Sequence, residues 1–203
     1  MRLPTVKALL VCIAAAMSMG CAENRIFYAA TEYPTREAAL QAAQGDLDSL
    51  LRDIRPTFHP IEARALMVLP TERTVRRIIH KQGVESGYSP SGEDLDYRSR
   101  LYEMDLQIFA EGLRRRQVFQ ELAVERDDNP ESVDQPGYDF TIYHEAKGTG
   151  SMQFFLKPAS SDMPELIGYD ARARIGPGLL SWFDNLEAAT RGYLPGSAKG
   201  EAK

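Results

Sequence analysis

The sequence predicts an α/β fold: a two-layer sandwich in which a mixed, mostly antiparallel sheet is packed by helices. Three observations predict it. Ala63–Thr71 is a continuous apolar run of strand length, the pattern of a strand buried on both faces. Tyr97–Arg116 is a long amphipathic helix. Three alternating segments follow in series, at Val118–Arg126, Tyr138–Glu145 and Ser151–Lys157. Elements of these kinds hide their apolar faces by stacking in layers.

The chain opens with Met1–Cys21, where Arg2 and Lys7 precede an apolar run from Ala8 to Met17, then small residues and Cys21. That layout is an export signal. The run is shorter than the ~20 residues a helix needs to span ~30 Å of hydrocarbon. Its tetrad Ser18-Met19-Gly20-Cys21 resembles that of a bacterial lipoprotein precursor. Gly20 fits the family pattern, whereas Ser18 stands where the family prefers leucine and Met19 is larger than usual. The resemblance implies cleavage before Cys21, acylation of its sulfur, and a mature protein beginning there. Ala22, not aspartate, follows the cysteine, which in such families implies the periplasmic face of the outer membrane. An uncleaved anchor or a plain secretory signal remain the alternatives. Cys12 and Cys21 are the two cysteines of the chain. Removal of residues 1–20 takes Cys12 away and leaves no partner for an intrachain disulfide.

Without residues 1–20, 183 of the 203 residues remain, enough for one core without disulfides. The removed segment carries two cations and no acid, so the formal charge moves from −5 to −7. An acidic chain argues against nucleic acid as partner and against broad adhesion to anionic lipid. The expected organisation is a signal peptide over 1–20, a lipidated tether over 21–33, one α/β domain over 34–194 and a disordered polar tail over 195–203.

Within the tether, Ile26–Tyr28 reads as a short edge strand. Pro34 and Thr35 open a helix to about Arg55, with Leu40, Ala43, Leu47, Leu50, Leu51 and Ile54 on one stripe and Pro56 ending it. Ala63–Thr71 is the internal strand. Thr74–Lys81 is a short helix with Val75, Ile78 and Ile79 inward, and Gly83–Asp96 a loop rich in turn formers. Tyr97–Arg116 carries two stripes: Leu101, Met104 and Ile108, then Tyr102, Leu106, Phe109 and Leu113. Asp94 or Asp96 is its expected cap, and Arg114–Arg116 suit its carbonyl end. In the later strands Tyr138, Phe140 and Ile142 alternate with Asp139, Thr141 and Tyr143, and Met152, Phe154 and Leu156 share a face. Ala146–Gly150 joins the last two as a hairpin, and Asp127–Gly137 is an acidic surface loop. Leu166–Tyr169 is a candidate strand, and Gly178–Tyr193 a final helix with Leu179, Leu180, Phe183 and Leu186 inward.

Over Ala63–Tyr143 this order resembles the periplasmic α/β domains of curli-secretion and penicillin-binding-protein-activator lipoproteins and of the Tol-system propeller protein's amino-terminal domain. The segments that carry it are ARALMVLPT, GLRRRQVF, VFQELAV and GYDFTIY. The resemblance implies a domain that docks proteins or assembles complexes and catalyses nothing.

The residues themselves name no reaction. His59, His80 and His144 lie in a loop, at a helix end and at a strand end, with no metal-ligand spacing. Ser86-Gly87 and Ser91-Gly92 have turn composition, and no G-x-S-x-G is present. Arg73, Arg76, Arg77, Arg98, Arg100 and Arg114–Arg116 form either a basic patch or solvated helix ends. Tyr138, Tyr143, Phe155 and Trp182 are the candidate partner contacts, because consecutive rings at Phe154 and Phe155 must point to opposite faces. The expectation is a lipid-anchored envelope protein that binds another envelope protein, as an assembly or transport accessory. It is no enzyme, takes no cofactor or metal, and self-association is open. A carrier of lipid or another hydrophobic ligand, with a groove between sheet and helix, is the alternative; an envelope hydrolase is a more distant one.

Overall fold

A computed structural model describes residues 26–129, 136–147, 151–167, 177–195 and 197. The expected signal, Cys21, the hairpin link at 148–150 and nearly all of the tail lie outside the described residues. The elements are β1 (Ile26–Tyr28), β2 (Thr31–Tyr33), α1 (Arg36–Asp53), β3 (Ile61–Pro70), α2 (Glu72–Glu85), α3 (Gly92–Arg116), β4 (Phe119–Asp127), β5 (Phe140–Lys147), β6 (Ser151–Pro158), β7 (Glu165–Leu166) and α4 (Pro177–Gly192). The fold is α/β. Among the described residues, no helix is long and apolar enough to cross a membrane.

The chain divides into two compact units, Met1–Ala43 and Gln44–Lys203, with the division inside α1. In the first, β1 and β2 form an antiparallel hairpin, so the stretch expected as a tether with one edge strand holds two paired strands. Ala29 and Ala30 turn it, both with positive φ, at 47° and 64°. Two such residues in a two-residue loop match the twist of the strands they join. The Thr35 hydroxyl accepts from the Ala38 amide at 3.1 Å and starts α1.

In the second unit one sheet runs in the order β4-β3-β5-β6-β7. β3 pairs in parallel with both β4 and β5, whereas β5–β6 and β6–β7 are antiparallel. The sheet is mixed, as the sequence leads one to expect, with parallel pairing confined to the two sides of β3. β4 does not continue into a meander but crosses back beside β3, after α2 and α3 have supplied the long connection a parallel pair needs. β3 is internal, between β4 and β5, and is buried from Ala65 to Pro70, as its unbroken apolar run requires.

The two faces of this sheet differ. Ile61, Ala63, Ala65, Met67 and Leu69 of β3, Phe140 and Ile142 of β5, and Phe154 and Leu156 of β6 join the main core with residues from every helix. Leu47, Leu51 and Ile54 come from α1, Val75 and Ile79 from α2, Tyr102, Leu106, Phe109 and Leu113 from α3, and Leu179, Trp182, Phe183 and Leu186 from α4. Of the two stripes on α3 the second is the core stripe; Ile108 of the first packs only at its edge. Leu180, expected inward, is exposed, and Trp182 takes the interior place. Phe109, Phe154 and Trp182 meet with ring centroids 4.4–5.1 Å apart, within the range where aromatic rings attract. Gly112 lets α3 approach: a β-carbon there would lie 2.5 Å from Phe183 Cζ and 3.0 Å from Ile54 Cδ1.

Caps set the helix bounds. Thr71 caps α2, accepting from the Thr74 amide. Ser91 caps α3, not Asp94 or Asp96, so that helix begins five residues before the expected start. Asp94 instead accepts from Arg98 at 2.7 Å and from the Tyr88 hydroxyl at 3.1 Å, and Asp96 pairs with Arg76. Gln117 closes α3 in the left-handed conformation, φ 53°, returning its amide to the carbonyls of Leu113 and Arg114.

Candidate functional site

The alternation of β5 places Phe140, Ile142 and then His144 on the helix-covered face. His144 is 2% exposed. Its Nε2 lies 2.9 Å from the Tyr102 hydroxyl of α3, and its ring meets Tyr102 and Phe154 edge-on. Among the described residues Nδ1 has no partner, nor does Ser99 Oγ, which stands one turn before Tyr102 on α3 and is also buried. If the hydroxyl donates to Nε2, the proton on Nδ1 is left unanswered. If Nε2 donates, the tyrosine proton is. Each tautomer strands one donor.

Burial alone drives the His144 pKa down to about 4, because the charged ring is poorly solvated there. Burial, then Asp105 and Glu103, push the Tyr102 phenol upward. Near neutrality both groups are therefore uncharged, and neither is poised to exchange a proton. The pair is a hydrogen bond that ties α3 to the sheet. His59 and His80 are exposed on a loop and on α2, so the three histidines stand apart. Among the described residues no group of three or more His, Cys, Asp or Glu is placed to hold a metal.

At the end of β4, Asp128 accepts from the hydroxyls of Thr71 and Thr74. Those bonds hold its carboxyl below the usual range, with smaller help from Arg73 and Arg77. The start of α2 thus receives its negative charge from the chain itself.

The other face of the sheet gathers Leu66, Val68 and Tyr143, with Ala123, Tyr138 and Phe155 against them. No helix residue joins this second cluster among the described residues. Tyr143 and Phe155 stack at 5.4 Å and 13°. At its edge Arg64 lies over the Tyr138 ring at 5.2 Å and pairs with Glu121 at 2.9 Å. Three of the four expected contacts, Tyr138, Tyr143 and Phe155, are therefore brought together. Tyr143 is 8% exposed, and Tyr138 and Phe155 are half-buried. Trp182 is a correction: at 1% exposure, among Phe109, Phe154 and Phe183, it presents no surface to a partner.

The arginines do not pool into one patch. Arg76 pairs with Asp96, Arg98 with Asp94, Arg114 and Arg115 with Glu111, and Arg116 with Asp184. Alternating signs of this kind are a solvated helix surface.

Sequence reasoning missed Phe58. It is 95% exposed, in the loop between α1 and β3. Pro56 and Pro60 on either side were the available signal, since each fixes a backbone torsion. Comparison with family models, curated proteins and solved structures finds no match.

Proposed function

We propose that this chain is a lipid-anchored protein of the bacterial envelope that works by binding another envelope protein, in assembly or transport, and not by catalysis. The support for anchoring is the signal-like Met1–Cys21 and its terminal cysteine. The observation that carries the binding role is the second sheet face, where the half-buried Tyr138 and Phe155 and the buried Tyr143 beneath them cluster beside Arg64, with no helix residue joining the cluster among the described residues. Aromatic rings with an arginine are the residue types that dominate protein contacts. The buried, uncharged Tyr102–His144 pair favours this reading over an acid–base enzyme. The packed rings of Phe109, Phe154 and Trp182 favour it over a carrier, since a ligand between sheet and helices would have to displace them.

The test is a photo-crosslinking amino acid placed at Tyr138, at Phe155 and, as a control, at Lys81, in cells producing the full chain. The reading expects one discrete protein adduct from the first two positions and none from the third. Identical patterns at all three positions would count against it. Mass spectrometry of the mature amino terminus tests the anchor: an acylated Cys21 is expected, and an unmodified one would remove it.

A further inference from the structure

The loop that carries Phe58 is rigid. The Thr57 amide donates to the Arg116 carbonyl at 2.7 Å, and the Thr57 hydroxyl to Glu187 at 3.3 Å. Arg191 donates to the His59 carbonyl, and the Ile61 amide to the Val118 carbonyl at 2.7 Å. Pro56 and Pro60 fix the torsions at both ends. The benzyl ring stands in water on a braced backbone, so the backbone share of the ordering cost on entering an apolar medium is small.

The charges around it favour an anionic surface. Arg52 and Arg55, at the end of α1, are exposed and form no ion pair among the described residues. Arg116 and Arg191 brace the loop, with their charges met by Asp184 and Glu187. Arg55 Nη1 donates to the Arg52 carbonyl at 3.0 Å, which leaves its charge unneutralised, and Asp53 lies between the two arginines, leaving a local excess of one cation. Such an excess is local only, because the chain as a whole is acidic at −5.

We propose that Phe58, with Arg52 and Arg55, is a membrane-resting point that dips into the acyl boundary of an anionic bilayer. The proposal rests on the lipid-anchor reading. One ring and two guanidiniums hold a free protein weakly, but a tethered chain meets the bilayer at high effective concentration, where a weak second contact suffices.

The test uses the full acylated chain on vesicles of phosphatidylethanolamine and phosphatidylglycerol, with and without brominated acyl chains. Phe58→Trp places an indole on the loop; the wild-type chain, whose single Trp182 is buried, supplies the background. The expected result is a blue shift and a loss of the added emission in brominated vesicles, both diminished by Arg52→Glu with Arg55→Glu. Vesicle-bound protein whose added emission is unquenched overturns the proposal and leaves the anchor standing. Protein that fails to associate with vesicles overturns both. Unquenched emission together with a protein crosslink from position 58 assigns the ring to a protein partner instead.

Discussion

Tyr102 Oη and His144 Nε2 sit 2.9 Å apart inside the layer between α3 and β5, and His144 Nδ1 faces no partner among the described residues. A neutral imidazole is therefore part of the folded state, and an imidazolium is not. The folded pKa of about 4 lies below the unfolded 6.5. Between those values the unfolded chain binds more protons, so stability is full above about pH 6.5 and falls as pH drops toward 4. The loss amounts to about 3 kcal/mol. Urea unfolding followed by Trp182 fluorescence measures it: about 2 kcal/mol is expected to be lost between pH 7 and pH 5, and the remainder by about pH 4. His144→Gln should flatten that window; an unchanged pH dependence would show the imidazole to be solvated.

Tyr102→Phe removes the hydroxyl and leaves Nε2 buried without a partner. The expected cost is about 1–3 kcal/mol at pH 7. Thermal unfolding checks it, and a melting point equal to wild type would mean the bond contributes nothing.

Two glycine substitutions should have opposite signs. Gly45→Ala, in α1 with no atom within 4 Å of the new carbon, should stabilise by about 0.5–1 kcal/mol through helix propensity. Gly112→Ala gains the same propensity but drives a β-carbon to 2.5 Å from a buried phenyl ring. Overpacking at about 1–3 kcal/mol wins there. Chemical denaturation of the two variants side by side decides it; equal shifts would refute the close approach.

Positive φ without glycine marks removable strain at Ala29, Ala30 and Gln117. Gln117→Gly should raise stability by about 0.5–1 kcal/mol, since the left-handed cap then carries no β-carbon penalty. In the hairpin, Ala29→Asn with Ala30→Gly should protect the amides of β1 and β2 against hydrogen exchange. Slower exchange is the expected readout, and faster exchange would contradict the turn.

Much of this architecture was legible because the periodic signals were strong. The second stripe of α3, with Leu106, Phe109 and Leu113, is the core stripe, and the unbroken run of β3 is an internal strand. The start of α3 was hidden because Gly92, Glu93 and Asp94 form a polar first turn whose signal is the Ser91 cap. Likewise α2 runs on through Gly83, where a β-carbon would meet Pro90 at 2.7 Å as the chain folds back. Parallel pairing of β3 with β4 and β5 joins residues far apart in the chain, which local pattern does not encode. The burial of His144 was within reach, since it continues the alternation of Phe140 and Ile142. Its position at the end of the run made it look exposed. Alternation set Tyr143 and Phe155 on the face away from Phe140 and Phe154, but it set Tyr138 with Phe140 and Ile142; Tyr138 precedes β5, which begins at Phe140, and packs with Tyr143 instead. Trp182 was misplaced because the helix phase was set on Leu180.

The place of β3 in the sheet has a consequence for biosynthesis. Its two neighbours, β4 and β5, are made after it, and β5 ends at Lys147. As the chain emerges, this apolar strand waits while α2 and α3 are made before its first neighbour begins at Phe119, and long-range pairing of this kind is slow. Until then its backbone is an open template for misassembly. A product truncated after Arg116 therefore has this internal strand and neither of the strands that pair with it, which leaves both its edges open.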